Sequence, residues 1–358
     1  MLDSKKRNFA LDIARTFAII CVVLCHSVES VYKFDMQEWN AFSIKSNLFK
    51  IILFTIGRLG VPLFLLLTGY LTLNKNIKND DDGIKFYKKN LIPIIITTEV
   101  WIVIYTIFLC IINEKQKFSF EILIRRMLFF EYEPSHMWYM PMIIGIYLAV
   151  PFINNVLKNY SIKIIKIPLC IIILSTFIIP TINNILKVLK INTLSSKLDL
   201  EFLGASYGAY IIIGYFVSKE IFKKVKSIYI LLGSAISFIL CVGMQVFMYK
   251  NGISYKVWYN SIFILIMGVG IFELCTRVKE MKLIWQKIFM YISKISFSIF
   301  FVHKIIQICL ERKISSFEIG NPFKVISMFL ITFILCIIFI SILSKIKWIK
   351  QKIFLIKD

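Results

Sequence analysis

The chain has 358 residues, of which 58% are hydrophobic and 18% charged, and its formal net charge is +22. So large an apolar share, with only 14 glycines and 8 prolines, excludes disordered and collagen-like chains and exceeds that of soluble globular proteins. The basic residues fall in short clusters between long apolar runs, which indicates membrane insertion rather than nucleic-acid binding. We therefore expect a membrane protein whose partner is the lipid bilayer and not a nucleic acid.

About ten apolar runs are long enough to be transmembrane helices, because ~20 apolar residues cross a bilayer. The sequence predicts an all-α membrane protein, a polytopic bundle that forms a single domain over residues 1–358. Residues 118–130 contain two arginines, so we expect a helix at the interface there. The predicted spans are approximately 9–31, 48–73, 91–112, 137–156, 164–182, 202–218, 227–249, 257–275, 288–310 and 325–343.

The distribution of lysine and arginine predicts the orientation of the bundle. With the N-terminus in the cytoplasm, 24 of the 43 basic residues lie on cytoplasmic segments and 15 on outer segments. The positive-inside rule favours this arrangement, which places both termini in the cytoplasm. Asp12 and Arg15 interrupt the first apolar run, so we expect a retained first span rather than a cleaved signal peptide.

The first span contains three polar residues, each of which is costly at membrane depth. Asp12 and Arg15 are three residues apart and can pair on one helix face. Arg15 and His26 are eleven residues apart, so they share a face and lie ~16 Å apart along the axis. Arg15 fits either an anchor that reaches the cytoplasmic surface or a binding residue. His26 fits either a packing residue or a reactive one.

The second span carries Arg58 in a stretch with several glycines. Gly57, Gly60 and Gly69 are positions where a membrane helix breaks or lets another backbone approach. A helix-packing seam explains these glycines but not Arg58. Glu99 in the third span is a further charge, for which pairing with a basic residue is the simplest interpretation.

The chain has only three histidines, and all lie in or beside predicted spans. His136 opens the segment HMWYMPM, and His303 lies in SFSIFFVHK. Glu131 and Glu133 precede His136 in an outer loop, where they are solvated or orient the ring. Trp138 and Tyr139 fit an interfacial aromatic belt or a stacking surface for a sugar ring.

These segments, taken in order, resemble the acyltransferase-3 family of integral-membrane acyltransferases, with bacterial surface-polysaccharide O-acyltransferases as the nearest branch. The resemblance rests on Arg15 and His26 with ten residues between them, RLGVPLFLLLTGYL, HMWYM and SFSIFFVHK. Thr68 stands where many relatives have serine, and Leu63-Phe64-Leu65 replaces their double phenylalanine. These departures bear on the choice of substrate rather than on activity.

The resemblance implies transfer of an acyl group, commonly acetyl, from cytoplasmic acetyl-CoA to a hydroxyl of a cell-surface glycan or lipid-linked sugar. The implied location is the bacterial plasma membrane, and no metal is implied. Basic residues near the inner half, Arg15 and Arg58, would then bind the donor phosphates. His26 would act as the general base. His136 and His303 would orient substrate or stabilise the thioester oxyanion. The full set of substrate-binding candidates is Asp12, His136, Trp138, Tyr139, Thr68 and His303.

A transporter or flippase of a polysaccharide precursor is the competing interpretation. Intramembrane Arg, Glu and His also mark substrate and proton pathways in carriers. Many carriers, however, have broken helices at matching positions in two halves. The interruption at 57–69 has no counterpart later in this chain.

Overall fold

A computed structural model describes residues 8–113, 117–195, 198, 200–201 and 204–356 of the chain. Within these ranges the regular structure is helical, as the sequence predicts. The α-helices are α1 (Phe9–Val31), α2 (Met36–Ala41), α3 (Ile44–Gly57), α4 (Gly60–Thr72), α5 (Asp80–Phe86), α6 (Ile92–Ile112), α7 (Phe120–Met127), α8 (Tyr139–Asn159), α9 (Ile162–Ile173), α10 (Ile179–Val188), α11 (Ala205–Ser218), α12 (Ser227–Lys250), α13 (Ile262–Thr276), α14 (Leu283–Ser315) and α15 (Asn321–Leu343).

Ten helical segments of the described chain are markedly apolar. Eight are long and apolar enough to span a membrane, several of them built from two consecutive helices, as α3 and α4 are. The remaining two, α11 and α13, are apolar but shorter. The protein is therefore a multi-pass membrane bundle. We call the end where α1 begins the proximal end and the end where it finishes the distal end.

The predicted second span is two helices with a break at Arg58 and Leu59. A Cβ atom added to Gly57 would lie 2.7 Å from the Cys25 backbone, and one added to Gly60 would lie 2.9 Å from the Ala18 carbonyl oxygen. Only glycine lets the backbones come this close, because any side chain would collide with α1. Helices α3 and α4 therefore pack directly on α1. The glycine-rich stretch therefore both breaks the helix and lets a neighbouring helix approach.

Helices α1 and α14 run side by side in the same direction, as hydrogen bonds at two different heights show. The Thr16 hydroxyl donates to the Phe289 carbonyl oxygen at 3.0 Å. Towards the distal end, the Gln307 amide donates to the Ser27 hydroxyl at 3.0 Å. This pairing places the two ends of α1 beside matching positions of α14, although more than 260 residues separate them in sequence.

The predicted interfacial helix is present as α7, which has eight residues and is too short to cross a bilayer. Its two arginines differ in environment. Arg126 is buried and donates to the Thr106 hydroxyl at 3.2 Å, whereas Arg125 pairs with Glu131 at 2.6 Å on the surface. Helix α7 therefore docks on α6 at the distal end.

Candidate active site

The three histidines of the chain meet inside the bundle. The ring centres of His136 and His303 are 5.1 Å apart, and that of His26 lies 5.3 Å from His303 and 6.1 Å from His136. Helix α1 carries His26, α14 carries His303, and a 3-10 turn (Ser135–Trp138) before α8 carries His136. Three candidates from distant parts of the sequence thus form one cluster.

Glu29 fixes the orientation of the His26 ring. Its Oε2 lies 2.7 Å from His26 Nδ1, and both side chains are largely buried, with exposed fractions of 20% and 17%. A carboxylate accepts hydrogen bonds, so this contact favours the imidazole with its hydrogen on Nδ1. The Nε2 atom then retains a lone pair, which is the state that a general base requires.

Glu29 also contacts two cations. Its Oε1 lies 2.7 Å from Lys256 Nζ and 3.6 Å from Arg58 Nη2. Arg58 is buried, and its Nη1 donates to the Tyr259 hydroxyl at 2.9 Å. The guanidinium carbon lies 4.5 Å from the ring centres of both Phe54 and Trp258. These cations keep the carboxylate beside His26 charged and in place.

The position of Arg58 corrects the expectation that it lies with Arg15 near the inner half of the bundle. The backbone of Gly57 packs against Cys25, which places Arg58 at the level of Glu29. Because Arg15 is fourteen residues before Glu29 in the same helix, Arg15 lies about 21 Å along the axis from that level. The two arginines therefore cannot bind one phosphate group together.

Arg15 and Asp12 meet on Ser293 of α14. The Ser293 hydroxyl donates to Asp12 Oδ1 at 2.6 Å, and Arg15 Nη1 donates to the same hydroxyl oxygen at 3.4 Å. Ser293 belongs to α14, so this contact joins the proximal parts of the two helices. The neighbouring Lys294 adds a second positive charge at the same cavity.

A cavity of about 290 Å³ begins at this cluster and extends towards the histidines. Val22, one turn before His26, forms part of its wall. Tyr139 and Phe300 also line it, and the ring centre of Phe300 lies 5.2 Å from that of His136. Thr68 lines the cavity while its hydroxyl donates to the Phe64 carbonyl oxygen. The cavity therefore joins the level of Arg15 to the floor of the histidine cluster.

His136 and His303 each present an unpartnered nitrogen inside the protein. His303 Nδ1 donates to the Ile299 carbonyl oxygen at 3.1 Å, so its Nε2 carries the lone pair. His303 Nε2 and His136 Nδ1 are buried and have no hydrogen-bond partner among the described residues. A lone pair accepts a hydroxyl hydrogen but cannot stabilise an oxyanion. For His303 this geometry favours orientation of a hydroxyl over the predicted oxyanion role.

Trp138 belongs to a cluster of aromatic rings. Its ring centre lies 5.8 Å from those of Tyr207, Trp258 and Tyr259. Trp258 also packs on the Arg58 guanidinium, and 40% of its surface is exposed. The cluster therefore forms a partly open aromatic wall beside the buried site, at its distal side.

Two predicted carboxylates lie outside the cluster. Glu131 pairs with Arg125 and so has a partner other than His136. The predicted basic partner of Glu99 is not found: its Oε2 has no hydrogen-bond partner within the described ranges.

The sequence interpretation omitted several residues of the site. Glu29 follows His26 by three residues, a spacing that places both on one helix face and could have revealed it. Lys256 and Tyr259 come from the loop between α12 and α13, which carries no recognisable pattern. Ser293 resembles the other serines of α14 and gives no signal of its own.

The model of the acyltransferase-3 family, described as an acyltransferase domain, matches residues 8–341. The chain belongs to this family and is an acyltransferase. Comparison with curated proteins and with solved structures gives no match.

Proposed function

We propose that this acyltransferase is an O-acyltransferase of the bacterial plasma membrane. It moves an acyl group, acetyl in the simplest case, from cytoplasmic acyl-CoA to a hydroxyl of a cell-surface polysaccharide or lipid-linked sugar. The observation that carries the proposal is the convergence of all three histidines above a cavity that contains Arg15 at its other end.

The cavity suits a thioester donor that enters from the proximal end. Arg15 and Lys294 supply positive charge for the donor's phosphates at that end. The apolar wall beyond them suits the uncharged arm that carries the thioester. The reacting carbonyl would then lie near Phe300, just below the histidine cluster.

The acceptor hydroxyl would enter from the distal side, past the aromatic wall of Trp138 and Trp258. Such rings stack against the apolar faces of sugars. The buried lone pair of His303 would accept a hydroxyl hydrogen and so orient the sugar. Donor and acceptor would thus approach His26 from opposite ends of the bundle.

His26 Nε2 then removes the proton of the reacting hydroxyl as its oxygen attacks the thioester carbonyl carbon. Glu29 stabilises the imidazolium that forms. The carbon–sulfur bond breaks, and the coenzyme A sulfur leaves with the proton that His26 returns. The products are the O-acyl sugar and free coenzyme A.

The test is the release of free thiol from acetyl-CoA by the purified protein in nanodiscs, with and without cell-envelope glycan. We expect release that depends on glycan and that falls about 10²–10⁴-fold in His26→Asn. Asparagine retains a polar group near the position of Nδ1, beside Glu29, and deletes Nε2. Arg125→Ala, on the surface, is the matched control and should retain full activity.

Two outcomes would overturn the proposal. Near-normal turnover by folded His26→Asn would show that His26 is not the base. A folded wild-type protein that neither binds acetyl-CoA nor releases thiol would favour the carrier interpretation, which the family match does not favour.

A further inference from the structure

The chain beyond the last span turns back into the bundle. A π-helical turn (Ile349–Ile353) follows α15, and three consecutive carbonyl oxygens then accept hydrogen bonds from side chains of α6 and α14. Thr97 donates to Lys352 at 2.9 Å, Trp101 to Ile353 at 3.2 Å and Ser298 to Phe354 at 3.1 Å. We call residues 349–356 the C-terminal strap.

The end of the strap is packed as firmly as the core. Phe354 and Ile356 are only 2% and 4% exposed. Leu355 between them has a φ angle of 49°, in the left-handed region that favours glycine. The buried neighbours and the three hydrogen bonds hold the backbone in this conformation, and Leu355 forms part of the wall of the cavity that contains Arg15.

The strap meets the cavity at the height where an acyl thioester would lie. Ser298, which binds the Phe354 carbonyl oxygen, is midway along α14 between Ser293, at Arg15, and His303. Residues on both sides of this height, Lys294 and Phe300, line the same cavity as Leu355. The family match ends at residue 341, within α15, so the strap lies outside the matched region.

We propose that the C-terminal strap completes the donor-binding cavity and that Leu355 limits the length of the acyl group the enzyme accepts. This inference rests on the proposed function, because it requires an acyl-CoA donor in the cavity. The leucine side chain occupies space that a longer acyl chain would need. A residue of another size at position 355 should therefore change the preference among acyl donors and leave the KM for the acceptor unchanged.

The experiment compares acetyl-CoA with butyryl-CoA as donors for the full-length protein. Leu355→Gly keeps the left-handed backbone free of strain and removes the side chain, so we expect kcat/KM for butyryl-CoA relative to acetyl-CoA to rise about tenfold or more. Leu355→Trp places a larger side chain at the cavity and narrows it. We expect this variant to lower the kcat/KM for butyryl-CoA relative to acetyl-CoA and to raise KM for acetyl-CoA. The acceptor KM should stay unchanged in both variants.

The matched control is Lys352→Ala, whose side chain is exposed in the same strap and whose carbonyl oxygen still accepts from Thr97. Thermal midpoints identify a variant that fails to fold, and either Leu355 variant alone decides the question. An unchanged donor ratio in a folded Leu355 variant of an active enzyme would overturn this inference alone. Absence of donor turnover in the wild-type protein would instead overturn the proposed function.

Discussion

Glu29 orients the His26 ring, so the carboxylate can be tested apart from the proposed base. Glu29→Gln retains the size of the side chain but removes its charge. We expect kcat to fall about 10²-fold, because a misoriented or wrongly protonated imidazole loses much of the 10²–10⁴-fold effect of general base catalysis. The donor KM should change little, since Glu29 is far from Arg15. Steady-state kinetics with acetyl-CoA separates the two constants.

Glu131→Gln is the matched control, because it neutralises a carboxylate whose partner, Arg125, is on the surface. It should retain wild-type kcat. Wild-type kcat in folded Glu29→Gln would remove the carboxylate from the mechanism and leave it as a partner of Lys256 and Arg58.

Single residues show how far the sequence defines the site. The shared face of Arg15 and His26 follows from helix geometry alone, because both belong to one helix. The position of Arg58 along the bundle axis does not follow from helix geometry. It depends on how two helices are staggered, which is determined by packing contacts such as that of Gly57 with Cys25. Lys256 reaches the site from a loop, whose path depends on the whole bundle. The sequence therefore identifies candidate residues of the site more readily than it shows which of them lie close together.

Helices α4 and α11 contact each other through two glycines, one from each helix. A Cβ atom added to Gly69 would lie 1.9 Å from the Ile211 carbonyl oxygen, and one added to Gly214 would lie 2.0 Å from the Leu66 carbonyl oxygen. The obstacle is backbone in both cases and cannot move as a side chain can. The sequence predicted close approach at Gly69 but not the partner, because glycine marks a contact without identifying the other helix.

Gly69→Ala should therefore force α4 and α11 apart. We expect a destabilisation of about 1–3 kcal/mol, as for other overpacked positions, measured as a lower thermal midpoint in detergent. Gly145→Ala is the matched control, since an added Cβ there would meet nothing within 4 Å. Equal thermal midpoints for the two variants would show that the α4–α11 contact is looser than described.

At the scale of the whole molecule, the chain beyond α15 turns back and packs against α6 and α14 as the C-terminal strap. The apolar runs predicted about ten spans, and the described chain has eight helical segments long enough to span a membrane and two shorter apolar helices. They could not predict that the chain beyond α15 re-enters the bundle, because residues 349–356 are too short and too basic to be recognised as a buried segment. That the proximal end is cytoplasmic remains a prediction from the basic residues.

The orientation can be tested with a fluorescent protein that folds only in the cytoplasm. Fused to the C-terminus, it should fluoresce, because the positive-inside rule places the proximal end inside. Inserted at residues 317–319, between α14 and α15, it should remain dark. Cell fluorescence and an immunoblot for expression provide the measurement. The reverse pattern would place the donor cavity on the wrong side of the membrane for cytoplasmic acyl-CoA.

The pairing of α1 with α14 has a consequence for biosynthesis. Thr16 and Ser27 enter the bilayer with the first helix, whereas their partners at 289 and 307 are translated some 280 residues later. At about 5–20 residues per second, the nascent chain spends on the order of 15–60 seconds without them. The polar side of α1 must be sheltered during that time by the insertion machinery or by neighbouring helices. The histidine cluster cannot assemble until residue 303 has been made, so a chain stalled on the ribosome before that residue lacks the proposed catalytic site.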